Sequence, residues 1–143
     1  MLISTKGRYA LRVMIDLAEH QTDEFISLKD IARRQEISDK YLESIIRMLV
    51  KARVLESLRG KGGGYKLRKP PDAYTVGSIL RLTEESLALV SCLEPGADAC
   101  PKAGKCQTLP LWQGLDKVIN EYLDSVTIAD LLKNSSAGDY YVI

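Results

Sequence analysis

Histidine is nearly absent from the sequence: His20 is the only one among 143 residues. A single histidine excludes most nucleophile–histidine–carboxylate triads and histidine-rich metal sites, and the acidic residues show no paired arrangement on a shared face. An enzyme is therefore not expected. No apolar run is long enough to span a bilayer and no leader-like segment opens the chain, so the expected location is the cytoplasm, with no membrane partner. Cysteine is sparse, at three residues, and an odd count fits poorly with a secreted disulfide framework. The length suits one compact head with an appendage, not two full-sized domains.

The formal net charge of +1 hides a division. Residues 1–70 carry 15 Lys/Arg against 9 Asp/Glu, whereas residues 71–143 carry 5 against 10. A basic block beside an acidic one assigns contact with polyanions to the front half, and double-stranded DNA is the expected partner. The cysteines are not scattered as small core hydrophobes would be. Cys92, Cys100 and Cys106 share one polar, turn-rich segment. That grouping predicts a thiolate metal site, for which iron-sulfur clusters and zinc are the suitably soft occupants.

The front half reads as short helices. Ala10, Val13, Met14, Leu17 and Ala18 repeat at helical spacing and predict a first helix of about four turns. Ser27 is placed to cap a second helix, with Asp30 as its capping-box partner and Leu28, Ile31 and Ala32 inward. A turn over 35–37 leads to Ser38, the cap of a third helix whose buried stripe is Leu42, Ile45, Ile46, Leu49 and Val50. Lys40, Glu43, Ser44, Arg47 and Lys51 line the opposite face, with Tyr41 near the start. Two capped helices joined by a tight turn, the second polar and basic outside, form a helix-turn-helix that places its second helix in the major groove.

Val54 to Arg59 then alternates as a strand, Gly60-Lys61-Gly62-Gly63-Gly64 turns, and Tyr65 to Lys69 returns. This predicts a wing bearing Arg59, Lys61, Lys66, Arg68 and Lys69, whose glycines let backbone approach phosphate and whose arginine tip suits a narrow minor groove. The glycine run is not a nucleotide loop, because the Lys-Ser/Thr ending is missing and a hairpin rather than a helix follows.

Beyond Pro70-Pro71, Thr75 caps a helix carrying Val76, Ile79, Leu80 and Leu82, expected to brace the wing. After the cysteine segment, Pro110 falls in the first turn of a long helix with Leu111, Leu115, Val118, Ile119, Tyr122, Leu123 and Val126 on a near-heptad stripe. On so small a chain that stripe either folds back onto the head or pairs with a second copy, and the expected outcome is the second, a symmetric homodimer that reads two half-sites. Thr127 with Asp130 starts a last short helix through Leu132, followed by a linker over 134–138 and an apolar Tyr140-Tyr141-Val142-Ile143 tail. The expected fold is mainly α with a small β-hairpin wing, a winged helix-turn-helix plus a long C-terminal dimerisation helix. It divides into a DNA-binding head at 1–70, a bracing helix and connection at 71–90, the cysteine loop at 91–108, and the dimerisation helix and tail at 109–143.

Several stretches taken together resemble one family almost end to end. Ser4-Thr5-Lys6-Gly7-Arg8-Tyr9-Ala10, Ile37-Ser38 followed by Tyr41-Leu42-Glu43, Arg59-Gly60 with Gly62-Gly63-Gly64-Tyr65, the loop Cys92 to Cys106, and Leu111-Trp112 resemble the Rrf-two family of winged-helix transcription factors. The resemblance implies a dimeric DNA-binding repressor whose loop holds an iron-sulfur cluster at Cys92, Cys100 and Cys106 and couples its state to operator binding. A two-iron cluster is preferred over a four-iron one. Carried over by position, Tyr41, Glu43 and their neighbours Lys40 and Ser44 face the major groove and Arg59 on the wing reaches the minor groove, with Ser38, Gly60, Lys61, Gly62, Gly63 and Tyr65 as further expected DNA contacts. Glu43 can accept from cytosine N4 and repels phosphate, so it sharpens choice rather than adding affinity. Lys6, Arg8 and Arg47 are expected on the phosphate backbone, where they add salt-sensitive binding.

The chain departs from the family at three places. Cluster-binding members have a histidine three residues beyond the third cysteine, where Leu109 stands here. A nitric-oxide-sensing subgroup has an acidic residue near the start of the first helix, where this chain has Arg8. The interval from Cys92 to Cys100 is also longer than in the iron-sulfur regulators. His20 is expected on the surface, so a fourth ligand has to come from Glu94, Asp98, Gln107 or Thr108, the second subunit, a small thiol or solvent. The same family implies an alternative: a cluster-free regulator of cysteine or sulfur metabolism controlled by a regulatory protein partner or by thiol oxidation, with a Cys100–Cys106 disulfide as the oxidised form.

Overall fold

Hydroxyl side chains set the starts of the helices. Ser4, Ser27, Ser38 and Thr75 each accept a hydrogen bond from the backbone N–H three residues on, at Gly7, Asp30, Tyr41 and Ser78. Each such cap satisfies a donor that a helix start leaves unpaired and contributes about 1 kcal/mol. In this computed structural model, which describes residues 1–136, the caps open α1 (Thr5–Glu19), α2 (Leu28–Gln35), α3 (Asp39–Lys51) and α4 (Val76–Thr83). The strands β1 (Leu55–Leu58) and β2 (Gly64–Leu67) lie between α3 and α4, and α5 (Leu109–Ser125) and α6 (Ile128–Ser136) follow. The expected helical fold with a two-stranded wing is the one observed.

Two termini differ from expectation. The capping box at Ser27 is half made: the Ser27 hydroxyl accepts from the Asp30 N–H, and the Asp30 carboxylate accepts from Arg33. A full box forms at the last helix, where the Thr127 N–H donates to Asp130 and the Asp130 N–H donates to Thr127. That helix continues past Leu132 to Ser136, since no glycine or proline precedes Gly138 to break it. The Tyr140–Ile143 tail lies outside the described residues.

The core gathers around α1, which packs against α2, α3, α4, α6 and β2. Val13, Met14 and Leu17 meet Ile31, Leu42, Ile45, Ile46, Leu49, Leu55, Ile79 and Ile128, all of them sealed from solvent; burying each contributes about 1.5–3 kcal/mol. Asp16 shares that burial, with 0% exposure. Its two oxygens accept from Arg34 at 3.0 and 2.7 Å and from the Gln35 amide at 2.9 Å. The bond to Asp16 also holds the Arg34 proton more tightly than usual. Glu36 then takes a left-handed φ of 54°, and the chain turns into α3.

The wing is stitched to the head at two points. Leu55 lies opposite Leu67 and Leu58 opposite Gly64 in the antiparallel pair. A further rung joins Ile26 to Tyr65 through two backbone bonds of 2.9 and 2.8 Å. Gly64 permits it, since its φ is 153° and a Cβ there would stand 2.2 Å from the Ile26 carbonyl oxygen. Both strands are shorter than the expected Val54–Arg59 and Tyr65–Lys69. On the return side, the Tyr74 hydroxyl takes the Lys69 N–H and itself donates to the Val54 carbonyl, both at 3.0 Å. This tyrosine braces the wing, whereas α4 packs on α1 and α5. Leu82, expected inward with Leu80, is 38% exposed, because a step of two residues carries it round the helix.

A smaller core of Val76, Leu80 and Leu87 is covered by Ile3, Leu123, Val126 and Leu131. The chain leaving α5 returns to the base of α4, where the Val76 N–H donates to the Val126 carbonyl at 2.8 Å and the Ile128 N–H donates to the Tyr74 carbonyl at 2.9 Å. Among the described residues no helix is long and apolar enough to cross a membrane.

Removing Arg34 strands a buried carboxylate. Arg34→Met is expected to cost roughly 3 kcal/mol in urea unfolding. Asp16→Leu introduced alongside it recovers part of that loss, because no unpaired charge then remains. Strictly additive losses in the double variant would show that the pair is not energetically coupled.

Candidate nucleic-acid interface and cysteine loop

Capping and burial orient α3. With Leu42, Ile45, Ile46 and Leu49 turned inward, Ser38, Lys40, Glu43, Ser44 and Arg47 are exposed and Tyr41 is half-buried. The Ser44 hydroxyl donates to the Tyr41 carbonyl at 2.8 Å, and Arg47 donates to Glu43 at 3.0 Å. Both members of that ion pair are mostly exposed, so it contributes under about 1 kcal/mol. Exchange for a base edge or a phosphate is therefore inexpensive.

The wing tip presents Arg59, Gly60, Lys61 and Gly62 to solvent, with Gly63 and Tyr65 half-buried. Gly60 and Gly62 hold φ values of 92° and 77°, and the Gly63 N–H closes the turn on the Gly60 carbonyl at 2.9 Å. Glu43, Arg47 and Val50 of α3 line one groove together with Ser57, Leu58, Arg59 and Tyr65 of the wing. The fold thus brings Glu43 and Arg47 of α3 together with Arg59 and Tyr65 of the wing. Lys6 and Arg8 lie in the first turn of α1, where Arg8 donates to Thr5 Oγ1 at 3.1 Å.

That end of α1 is tied to the end of α4. Glu84, the residue ending α4, accepts from both the backbone N–H and the hydroxyl of Ser4, at 2.8 and 2.9 Å. From Glu84 the chain enters the cysteine loop, anchored by the buried Leu87 and shaped by short 3-10 turns at Ser91–Leu93 and Ala103–Lys105. Cys92 and Cys100 are exposed, Cys106 is half-buried, and all three are free thiols. Among the described residues no three His, Cys, Asp or Glu side chains form an ion-sized group, so the cysteines share a loop without being gathered. The donor chemistry suits a soft metal centre. Cys106 is the most prepared of the three: the Thr108 hydroxyl, 3.5 Å away, and the N–H groups of Thr108 and Leu109 at the head of α5 hold its thiol below the ordinary range. Leu109 offers no side-chain donor, and His20 sits on the surface at the end of α1, its Nδ1 2.9 Å from the Asp16 carbonyl.

Past the loop, α5 contributes no buried residue of its own. The near-heptad stripe divides. Leu123 and Val126 turn into the smaller core, whereas Leu111, Leu115, Val118 and Tyr122 form a face that is 58%, 39%, 61% and 67% exposed.

A family model described as Rrf2, iron-dependent transcriptional regulator, matches residues 3–134. The chain belongs to the Rrf2 family. The HTH-type transcriptional regulator IscR of Erwinia tasmaniensis is 38% identical over 134 residues, covering 94% of this chain and 80% of that one. CymR, the global cysteine regulator of B. subtilis, is 38% identical with a TM-score of 0.74, over 93% of this chain and 97% of that one. IscR of T. potens is 36% identical, also at 0.74, over 100% and 94%. This Rrf2 chain is a winged-helix, DNA-binding transcriptional regulator.

Sequence patterning missed Arg12, Asp16 and Glu84, none of which carries a motif. One signal was available for Asp16, a charged residue between Val13 and Leu17 on the inward side of α1.

Thr108→Val removes the first of the contacts that favour the Cys106 thiolate. In metal-free protein, the pH midpoint for iodoacetamide alkylation of Cys106, followed by mass spectrometry, is expected to rise towards that of an ordinary thiol while Cys92 and Cys100 are unaffected. An unmoved midpoint would assign the shift to the helix N–H groups alone.

Proposed function

We propose that this Rrf2 regulator is a homodimeric repressor whose operator binding responds to an iron-sulfur cluster held by Cys92, Cys100 and Cys106. The observation that carries this reading is the placing of three free thiols on one loop that is reached from the Glu84–Ser4 contact through the buried Leu87 and leads into α5. A bound cluster supplies an iron centre that oxygen or nitric oxide can attack. The protein's part is to carry a change in the loop both to the head of α1, beside Lys6 and Arg8, and to the apolar helix. Ser38, Lys40, Tyr41, Glu43 and Ser44 read the major groove, Arg59 with Gly60, Lys61, Gly62, Gly63 and Tyr65 engages the minor groove, and Arg47 joins Lys6 and Arg8 on phosphate. A two-iron cluster suits a three-cysteine loop whose remaining position is open to Thr108, a second subunit, a small thiol or solvent.

A second reading is a cluster-free thiol or partner-controlled regulator of cysteine metabolism. The depressed Cys106 thiol, the ungathered cysteines and the likeness to CymR favour it.

Iron and acid-labile sulfide per chain, measured with a visible spectrum on protein purified without oxygen, separate the two. The cluster reading expects stoichiometric iron and sulfide, both lost in a Cys106→Ala variant that keeps its helical circular dichroism and changes operator affinity. Colourless protein that stays metal-free after reconstitution assigns the second.

The exposed stripe of α5 is assigned to the dimer. Val118→Lys places a charge at its centre, and sedimentation equilibrium is expected to show monomer, with operator affinity lower by at least about a hundredfold as the paired half-site is lost. A dimer of unchanged stability would remove α5 from the interface.

A further inference from the structure

Arg12 is a cation in the basic half of the chain, yet its guanidinium is engaged inside the protein. It donates to Gln35 Oε1 at 3.1 Å and to the Gln35 main-chain carbonyl, and lies over the Tyr9 ring at 4.9 Å from the centroid. Tyr9 in turn meets Tyr41 edge to face, with centroids 5.8 Å apart and planes at 72°. Gln35 ends α2, Glu36 supplies the left-handed turn, and Tyr41 occupies the first turn of α3. One arginine on α1 therefore holds the turn through a carbonyl and the start of α3 through two rings.

We propose that Arg12 is a positioning residue for DNA recognition: through Tyr9 it sets Tyr41 and the first turn of α3 against the base edges, without itself touching DNA. The inference rests on the assignment of Tyr41 to the major groove made above. The apolar stripe of α3 fixes the depth of the helix in the core. The base-reading residues sit at its other end, just past a turn built on a single left-handed residue. Rotation of that end is set by side-chain contacts, and the Arg12–Tyr9–Tyr41 stack is one that reaches it from α1. Planarity matters here, because the guanidinium must face a ring and reach a carbonyl at the same time.

A phosphate-binding arginine and a positioning one leave different signatures. Binding of the full-length protein to its operator and to a scrambled duplex is measured across salt for Arg12→Met, Tyr41→Ala and the double variant, each first shown to be folded by circular dichroism. The proposal expects Arg12→Met to weaken operator binding about tenfold, the scale of one lost base contact. Scrambled-duplex affinity and the salt slope stay unchanged, and Arg12→Met adds nothing further in the Tyr41→Ala background. A uniform loss on both duplexes, with the slope reduced by about one, makes Arg12 a phosphate contact and overturns the proposal. Unchanged discrimination with only lowered stability overturns it equally. If Tyr41→Ala itself leaves discrimination intact, the assignment of Tyr41 fails, and the proposal with it. Should Arg12→Met not fold, Tyr9→Leu removes the intervening ring: lost discrimination supports the relay, and retained discrimination refutes it.

Discussion

The packing of the first three helices depends on a carboxylate that water does not reach. Asp16 enters the core on α1 among Val13, Met14 and Leu17, a position where an isolated charge would cost several kcal/mol. Arg34 and Gln35 remove most of that penalty by saturating both oxygens. Both partners lie at the end of α2, so the bond also dictates where α2 stops relative to α1, and hence where the left-handed Glu36 launches α3. An apolar residue in place of Asp16 could pack as well, but it would remove the contacts that tie the last residues of α2 to α1 through Arg34 and the Gln35 amide. A helix-turn-helix needs its turn fixed, since a small rotation of α3 moves every side chain that faces DNA.

The second organising feature is the way distant segments return to the same few places. Ser4 heads α1, and the acceptor on it is Glu84. The base of α4 is met by the chain leaving α5, and Arg81 reaches from α4 to Asp124 and Asn120 of α5. The cysteine loop therefore departs from one fixed point and arrives at another, while Cys92 and Cys100 stand in solvent and Cys106 is half-buried. Such a loop can change shape without unfolding the head, and its two attachment points are positions from which a change would be felt.

Much of this architecture was legible because it rests on local rules. Capping hydroxyls, the stripe Leu42–Ile45–Ile46–Leu49 and the glycine turn of the wing each announce themselves within a few residues. Contacts that join remote segments were not legible. Nothing near Ile26 signals a pairing with Tyr65, and nothing near Tyr74 reveals that its hydroxyl serves two backbone groups of the wing. The split of the α5 stripe was hidden for the same reason. Spacing shows that Leu115 and Leu123 are both apolar, but only the return of the chain to α4 decides that Leu123 is covered and Leu115 is not. At the cysteines, sequence proximity placed three thiols on one loop, whereas ligation requires an approach in space that spacing alone does not supply.

The two halves of α5 stand on unequal footing. Its C-terminal half is held by the small core and by the bidentate Arg81–Asp124 contact at 2.6 and 3.1 Å, which also lowers the Asp124 carboxyl below its usual range. Its N-terminal half, from Leu109 to Leu115, packs on neither core and carries Gly114 in its interior. A helix with so little tertiary support is marginal in water, because propagation alone barely offsets the entropy of ordering each residue. A second copy laid along Leu111, Leu115, Val118 and Tyr122 would supply the missing apolar contacts. That half begins just after Cys106, so the thiol stands beside the least supported turn of the helix that a dimer would use. Coupling between the loop and assembly then requires no rearrangement of the core, only a shift in how well one exposed turn is ordered.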